Sequence, residues 1–152
     1  MRRLLIMLAL AGSFAHAASA RVSPIGTTRK SDPKPLAGRV VEFAEHQVGV
    51  RYLFGGISRR TGFDCSGLVY AAYRSIGRMI PHSTWGQMTM GTRVPFGAVR
   101  PGDLLFTEGG GHVQLVVSKR AAISAPQTGE RVRYVPLAQL RPEFAGARRV
   151  LR

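Results

Sequence analysis

The sequence predicts an α+β domain in which N-terminal helices pack on an antiparallel β-sheet, and three observations predict it. Between Leu36 and Ile76, apolar residues recur at the spacing of a helix face. Beyond Gly91 the apolar period shortens to two, the repeat of a strand. Short turn segments, Gly109-Gly110-Gly111, Ser118-Lys119-Arg120 and Gln127-Thr128-Gly129, separate the later apolar runs and favour a meander. With 152 residues, 45% of them apolar, the chain suffices for one core of ordinary composition.

Taken in order, Arg2 and Arg3 precede an apolar run from Leu4 to Ala11 that is too short to anchor a chain in a bilayer. Ala15-His16-Ala17 and Ala18-Ser19-Ala20 both carry the small-residue spacing that signal peptidase reads, so residues 1–20 are expected to be a signal peptide. Cleavage after Ala17 or Ala20 fits equally, and the protein is then exported, to a periplasm or to the cell wall and exterior. Residues 21–36 hold three prolines and no aromatic, the composition of a flexible linker, with the folded domain over 37–152.

Leu36, Val40, Phe43, Ala44 and Val48 predict a first helix that Gly49 stops. A glycine-rich loop, Tyr52 to Gly56, follows. Cys65, Leu68, Val69, Ala72, Tyr73 and Ile76 then lie on one face of a second helix closed by Gly77. Pro81-His82-Ser83 opens a short third helix with Ser83 as its N-cap. Strands are expected over Asp103–Thr107, His112–Ser118, Ala121–Ala125 and Arg131–Leu137, with a last one around Arg149–Leu151.

The chain carries 22 basic and 8 acidic residues, a net charge of +14, and only Lys30, Lys34 and Lys119 are lysines. Without residues 1–20 the balance is 20 − 8 = +12. Such a surface attracts polyanions. Nucleic acid is the weaker partner, because the arginines are dispersed, no nucleic-acid motif is present and export separates the protein from cytoplasmic nucleic acid. Anionic lipid headgroups and anionic cell-wall polymers also qualify, and net charge alone picks no partner.

Cys65 is the single cysteine, so no intrachain disulfide exists. A lone cysteine in an oxidising compartment is either buried and inert or kept for its chemistry. Cys65 falls in the first turn of the second helix, where the helix dipole and free N–H groups are expected to lower its pKa and to receive the oxyanion of a tetrahedral intermediate. His112, at the start of a strand, is placed to act as the base. His46 reads as a structural histidine, and His82 as a residue lining a cleft. The histidines lack the paired spacing of metal ligands, so neither a metal nor another cofactor is expected.

Phe63-Asp64-Cys65-Ser66-Gly67-Leu68-Val69, preceded by Tyr52 with Gly55-Gly56 and followed by Pro101-Gly102-Asp103-Leu104-Leu105-Phe106 and His112-Val113, resembles the NlpC-type cell-wall cysteine peptidases. The resemblance covers residues 37 to about 137. It implies a papain-like α+β fold and hydrolysis of peptidoglycan stem peptides, commonly between γ-D-glutamate and diaminopimelate or lysine. By position it implies Cys65 as nucleophile, His112 as general base, Tyr52 near the oxyanion, and Asp64 and Ser66 lining the site that receives the stem peptide.

Asp64 has its own physical rationale. A stem trimmed to an N-terminal L-alanine bears a free ammonium that a carboxylate beside the nucleophile would pair with, and the same residue can cap the helix. Where relatives carry a third polar residue that orients the imidazole, usually histidine, this chain has Ser124. A serine accepts a hydrogen bond but brings no charge, so lower activity is expected. Gln127 is the alternative orienter. Two other functions stay open: a catalytically weak wall-binding or regulatory relative, and a Cys-His acyltransferase. A monomer without a membrane anchor is expected.

Overall fold

The computed structural model describes residues 34–152, so the expected signal peptide and nearly all of the expected linker lie outside the described residues. The elements are α1 (Leu36–Glu45), β1 (Ile57–Ser58), β2 (Gly62–Phe63), α2 (Cys65–Arg74), α3 (Thr84–Met88), β3 (Thr92–Arg93), β4 (Leu104–Thr107), β5 (His112–Val116), β6 (Ala121–Ser124), β7 (Arg133–Pro136), α4 (Leu137–Leu140) and β8 (Gly146–Arg149). This is the α+β arrangement that the helical and strand periodicities predict. No helix among the described residues is long and apolar enough to cross a membrane.

α1 ends about one turn earlier than its apolar pattern suggests, and Val48 is left partly exposed. α2 runs from its Asp64 cap to Arg74. Gly77 then takes a left-handed φ of 79°, which lets the Arg78 N–H return to the Tyr73 carbonyl at 3.0 Å. α3 begins at its expected cap, where Ser83 Oγ accepts from the Gly86 N–H at 3.1 Å.

The main sheet has the order β3-β8-β4-β5-β6-β7, antiparallel throughout. β4 to β7 form the expected meander. The final strand departs from expectation: it lies three residues earlier and pairs with β4, with Leu105 opposite Ala147. Pro136 has no N–H to donate, and α4 starts directly after it, carrying the chain back across the sheet.

Both faces of the sheet are covered. Leu104, Phe106, Val113, Leu115 and Ile123 pack against Val40, Ala44, Leu68, Val69, Ala72 and Tyr73 of the helices. Leu105, Val116, Ala122 and Ala147 pack with Val94, Val99 and Leu137 on the other side. β4 is therefore buried at every position and does not alternate, the pattern of a strand covered on both faces.

The Pro-Gly-Asp turn before β4 locks these layers. Tyr73 is fully buried, and its hydroxyl donates to the Gly102 carbonyl at 2.7 Å. Asp103, 2% exposed, accepts from Arg149 Nε at 2.9 Å and from Nη2 at 2.7 Å, and its Oδ2 also takes the Arg100 N–H at 2.8 Å. A paired guanidinium and carboxylate thus tie β8 to the turn that launches β4. Asp103→Ala strips Arg149 of its partner and orphans a backbone N–H, a loss of about 3 kcal/mol. Urea unfolding of wild type and variant checks this. A difference under about 1 kcal/mol, the size of a surface pair, would show that the bridge carries no structural load.

Candidate active site

Asp64 organises the site locally. Its backbone is extended (φ −92°, ψ 179°), and Oδ1 accepts from the Gly67 N–H at 2.6 Å, the bond that caps α2 and starts the helix at Cys65. The Ser66 hydroxyl donates to the same oxygen at 3.2 Å. Oδ2 accepts from the Gly55 N–H at 2.8 Å, which draws the Tyr52–Gly56 loop over the helix start. That approach sets the glycines of the motif. A Cβ on Gly67 would stand 2.0 Å from the Gly56 carbonyl oxygen, and one on Gly56 would stand 2.4 Å from that of Gly62.

Cys65 is half-buried at the first position of α2. The expectation of a lowered thiol pKa is corrected here: burial pushes the thiol up, and the neighbouring Asp64 carboxylate adds to the rise. N–H groups of Val113, Ser66 and Cys65 itself pull the other way without overcoming burial. The helix terminus thus acts as foreseen, but desolvation outweighs it. α2 packs against β5, the strand that His112 begins.

His112 is the first residue of β5, and its Nε2 lies 2.9 Å from Ser124 Oγ on β6. Ser124 is 2% exposed. Burial pushes the imidazole pKa down, and Arg133 adds to this while Glu108 and Glu143 oppose it. The structure brings Ser124 to the imidazole. Gln127 stands on an exposed turn, with its Nε2 3.5 Å from Glu130 Oε1. Ser124 occupying Nε2 leaves Nδ1 as the nitrogen for a thiol proton.

Tyr52 bridges to Phe63, and its N–H donates to the Glu130 carbonyl at 2.9 Å. Burial raises its phenol pKa, with the Cys65 and Asp64 charges next, so the phenol shares the surroundings of the thiol. Tyr52, Asp64, Cys65 and Ser66 thus gather at the start of α2, and His112 and Ser124 meet across β5 and β6, while His46 is exposed and its backbone carbonyl accepts from Arg59. Among the described residues, no three His, Cys, Asp or Glu side chains form a metal-sized group.

Two further residues reach the start of α2: His82, expected as a residue lining a cleft but without a named partner, and Gln87, which the sequence reading missed. His82 Nε2 lies 3.2 Å from Asp64 Oδ1. Gln87, fully buried, donates to the Ser66 carbonyl at 2.9 Å and to that of Pro81 at 2.8 Å. The local signal, a proline and a capping serine, locates α3 but says nothing of the distant helix start it braces.

The model of the NlpC/P60 family matches residues 49–148. The chain is 35% identical over 115 residues to the Gamma-D-glutamyl-L-lysine dipeptidyl-peptidase of Bacillus subtilis (strain 168), covering 72% of this chain and 38% of that protein. It is 36% identical over 115 residues to the Murein DD-endopeptidase MepH of Escherichia coli (strain K12), covering 69% and 42%. A crystal structure of an NlpC/P60 family protein from Bacillus cereus ATCC 10987 superposes with a TM-score of 0.72 at 32% identity, covering 79% of this chain and 42% of the other. The chain thus spans about two-fifths of the length of these relatives.

A thiol pushed up and an imidazole pushed down leave both groups neutral near pH 7. Alkylation of Cys65 by iodoacetamide is therefore expected to be slow at neutral pH and to accelerate with rising pH through the ordinary thiol range, about 8.5, and beyond. A fast rate that stays level from pH 5 to about pH 8 would instead reveal a preformed thiolate–imidazolium pair.

Proposed function

The chain belongs to the NlpC/P60 family, and from that premise we propose that it is an exported peptidoglycan hydrolase, a cysteine endopeptidase that cuts stem peptides between γ-D-glutamate and diaminopimelate or lysine. The observation that carries the reading is the thiol of Cys65 at a capped helix start, on the helix that packs against β5, whose first residue is a histidine held at Nε2 by Ser124. The names of the relatives support the substrate class and differ on the bond, one specifying γ-D-glutamyl-L-lysine and the other a DD-linkage. An acidic residue beside the nucleophile favours the first, since a stem trimmed to L-alanine presents an ammonium to Asp64.

In this mechanism the stem carbonyl carbon lies against Cys65 Sγ. The sulfur attacks as His112 Nδ1 takes the thiol proton, so no thiolate need stand in the resting enzyme. The N–H of Cys65 at the N-terminus of α2 and the hydroxyl of Tyr52 receive the oxyanion. Collapse breaks the C–N bond, and His112 returns the proton to the departing amine. A water molecule, deprotonated by His112, then attacks the thioester carbonyl, releasing the γ-carboxylate and regenerating the thiol. Ser124 accepts from Nε2–H throughout and keeps the tautomer whose Nδ1 is free.

Digestion of purified muropeptides, with the products weighed, tests activity and bond together. Cys65→Ala is expected to retain less than about 1% of activity, in line with removal of a covalent nucleophile. Ser124→Ala loses a neutral hydrogen bond of about 0.5–1.5 kcal/mol, a drop in kcat of roughly two- to fifteen-fold with KM little changed. An inert wild-type protein that still sediments with sacculi would favour the wall-binding reading over the enzymatic one.

Binding to anionic wall polymers is supported by a groove of about 860 Å³ at the far end of β5 from His112. Arg100, Lys119, Arg120 and Arg141 line it, and no acidic side chain among the described residues does. None of these four cations takes part in an ion pair among the described residues, and the Arg141 guanidinium lies 4.4 Å over the Phe96 ring. Retention on sacculi is expected to fall as salt screens charges beyond about 8 Å, and to fall at low salt in the Lys119→Glu, Arg120→Glu double variant. Turnover of soluble stem peptides changes little in both cases; equal losses on both substrates would remove the groove from wall targeting.

A further inference from the structure

Asp64 has more partners than a helix cap requires. An ionised carboxylate offers about four lone-pair positions. Oδ1 is crowded by the Gly67 N–H at 2.6 Å, the Ser66 hydroxyl at 3.2 Å and His82 Nε2 at 3.2 Å, whereas Oδ2 accepts, among the described residues, from the Gly55 N–H alone. The open acceptor position of this carboxylate is therefore on Oδ2.

His82 is held in place from several sides. Its ring lies 5.7 Å from that of Tyr70, inclined by 31°. The segment that carries it is pinned to α2: the buried Gln87 clasps the carbonyls of Pro81 and Ser66, and Ser83 caps α3 immediately after it. The side chain remains 31% exposed, so it stands at the rim of the site and not in the core. A residue needed only to start α2 would be redundant here, because the Gly67 N–H already supplies that bond.

We propose that His82 is a specificity-positioning residue: by engaging Oδ1 it reinforces the hold of the Gly67 and Gly55 N–H groups on the Asp64 carboxylate and keeps Oδ2 as the receptor for the free N-terminal ammonium of a trimmed stem. The inference rests on the proposed hydrolysis of stem peptides. An imidazole N–H suits this task, since it donates to Oδ1 and leaves the second acceptor position of Oδ2 open. His82 acts through Asp64 and touches no reacting atom.

The test uses the full mature chain and two soluble substrates, L-alanyl-γ-D-glutamyl-diaminopimelate with its amine free and the same peptide N-acetylated. Wild type is expected to prefer the free amine in kcat/KM. His82→Leu lowers that preference by roughly two- to tenfold, the size of one net hydrogen bond, with the loss in KM for the free-amine peptide. His82→Gln, whose amide N–H reaches the Nε2 position, keeps the preference within about twofold. His82→Asn, polar but too short to reach Oδ1, loses it, which keeps the test decisive should the leucine variant fold poorly. If wild type cleaves neither peptide, the proposed hydrolysis falls and this role with it. If wild type cleaves both while the leucine and asparagine variants keep its preference, or lose kcat equally on both peptides, His82 is a structural brace and only the positioning role is overturned.

Discussion

One buried carboxylate joins three parts of the chain. Asp64 caps α2, takes a backbone N–H from the glycine loop at Gly55, receives the hydroxyl of Ser66 and meets the imidazole of His82 ahead of α3. Each contact is modest, yet together they tie α2, the glycine loop and the segment ahead of α3 to the residue that precedes the thiol. The glycines of the motif follow from that geometry. Loop and helix can share one carboxylate only if their backbones touch, and the 2.0 Å clearance at Gly67 excludes any side chain there. The string Asp-Cys-Ser-Gly is thus one mechanical unit: acceptor, thiol, second donor and contact point.

The reactive pair sits where two opposing influences meet. A helix N-terminus stabilises negative charge, but burial destabilises charge of either sign. At Cys65 and His112 burial wins, so the thiol and imidazole rest uncharged. In the proposed hydrolysis such a site develops charge as the reaction proceeds, when donors aimed at the oxyanion are worth most. The neutral Ser124 is consistent with such a base. A resting imidazolium would gain from a carboxylate partner, whereas a neutral ring needs its tautomer held, and a hydroxyl 2.9 Å away does that.

Much of this was legible in the sequence because the signals are local. The 3.6-residue period of Leu68, Val69, Ala72 and Tyr73 and the cap at Asp64 located α2, and Ser83 located α3. Ser124 came from the family resemblance and not from a local pattern, and it lies on β6, which pairs with the β5 strand of His112. What stayed hidden is non-local or weakly patterned. β8 reads Gly-Ala-Arg-Arg, with no β-branched residue to mark it, and its pairing with β4 crosses about forty residues. The two-residue strands β1, β2 and β3 are too short to show any period. The meeting of His82 with Asp64 depends on how α3 docks, which Gln87 sets through carbonyls belonging to two segments. The sign of the thiol shift needed burial, a property of the assembled core.

The order of the sheet bears on solubility as well as on chemistry. An open sheet ends in two rows of unpaired backbone groups that another chain can extend, and long, flat, apolar margins are the dangerous ones. Here one margin is β3, two residues long, fully exposed and ending in Arg93. The other is β7, which carries Arg133 and closes on Pro136, and whose approach at Val132 is paired with Gly49 and Val50 by two backbone hydrogen bonds of 2.8 Å. The apolar strands β4 and β5 are kept in the middle, flanked on both sides. Brevity at one margin, and charge, proline and a covering segment at the other, guard a strand-rich core against templating its own aggregation.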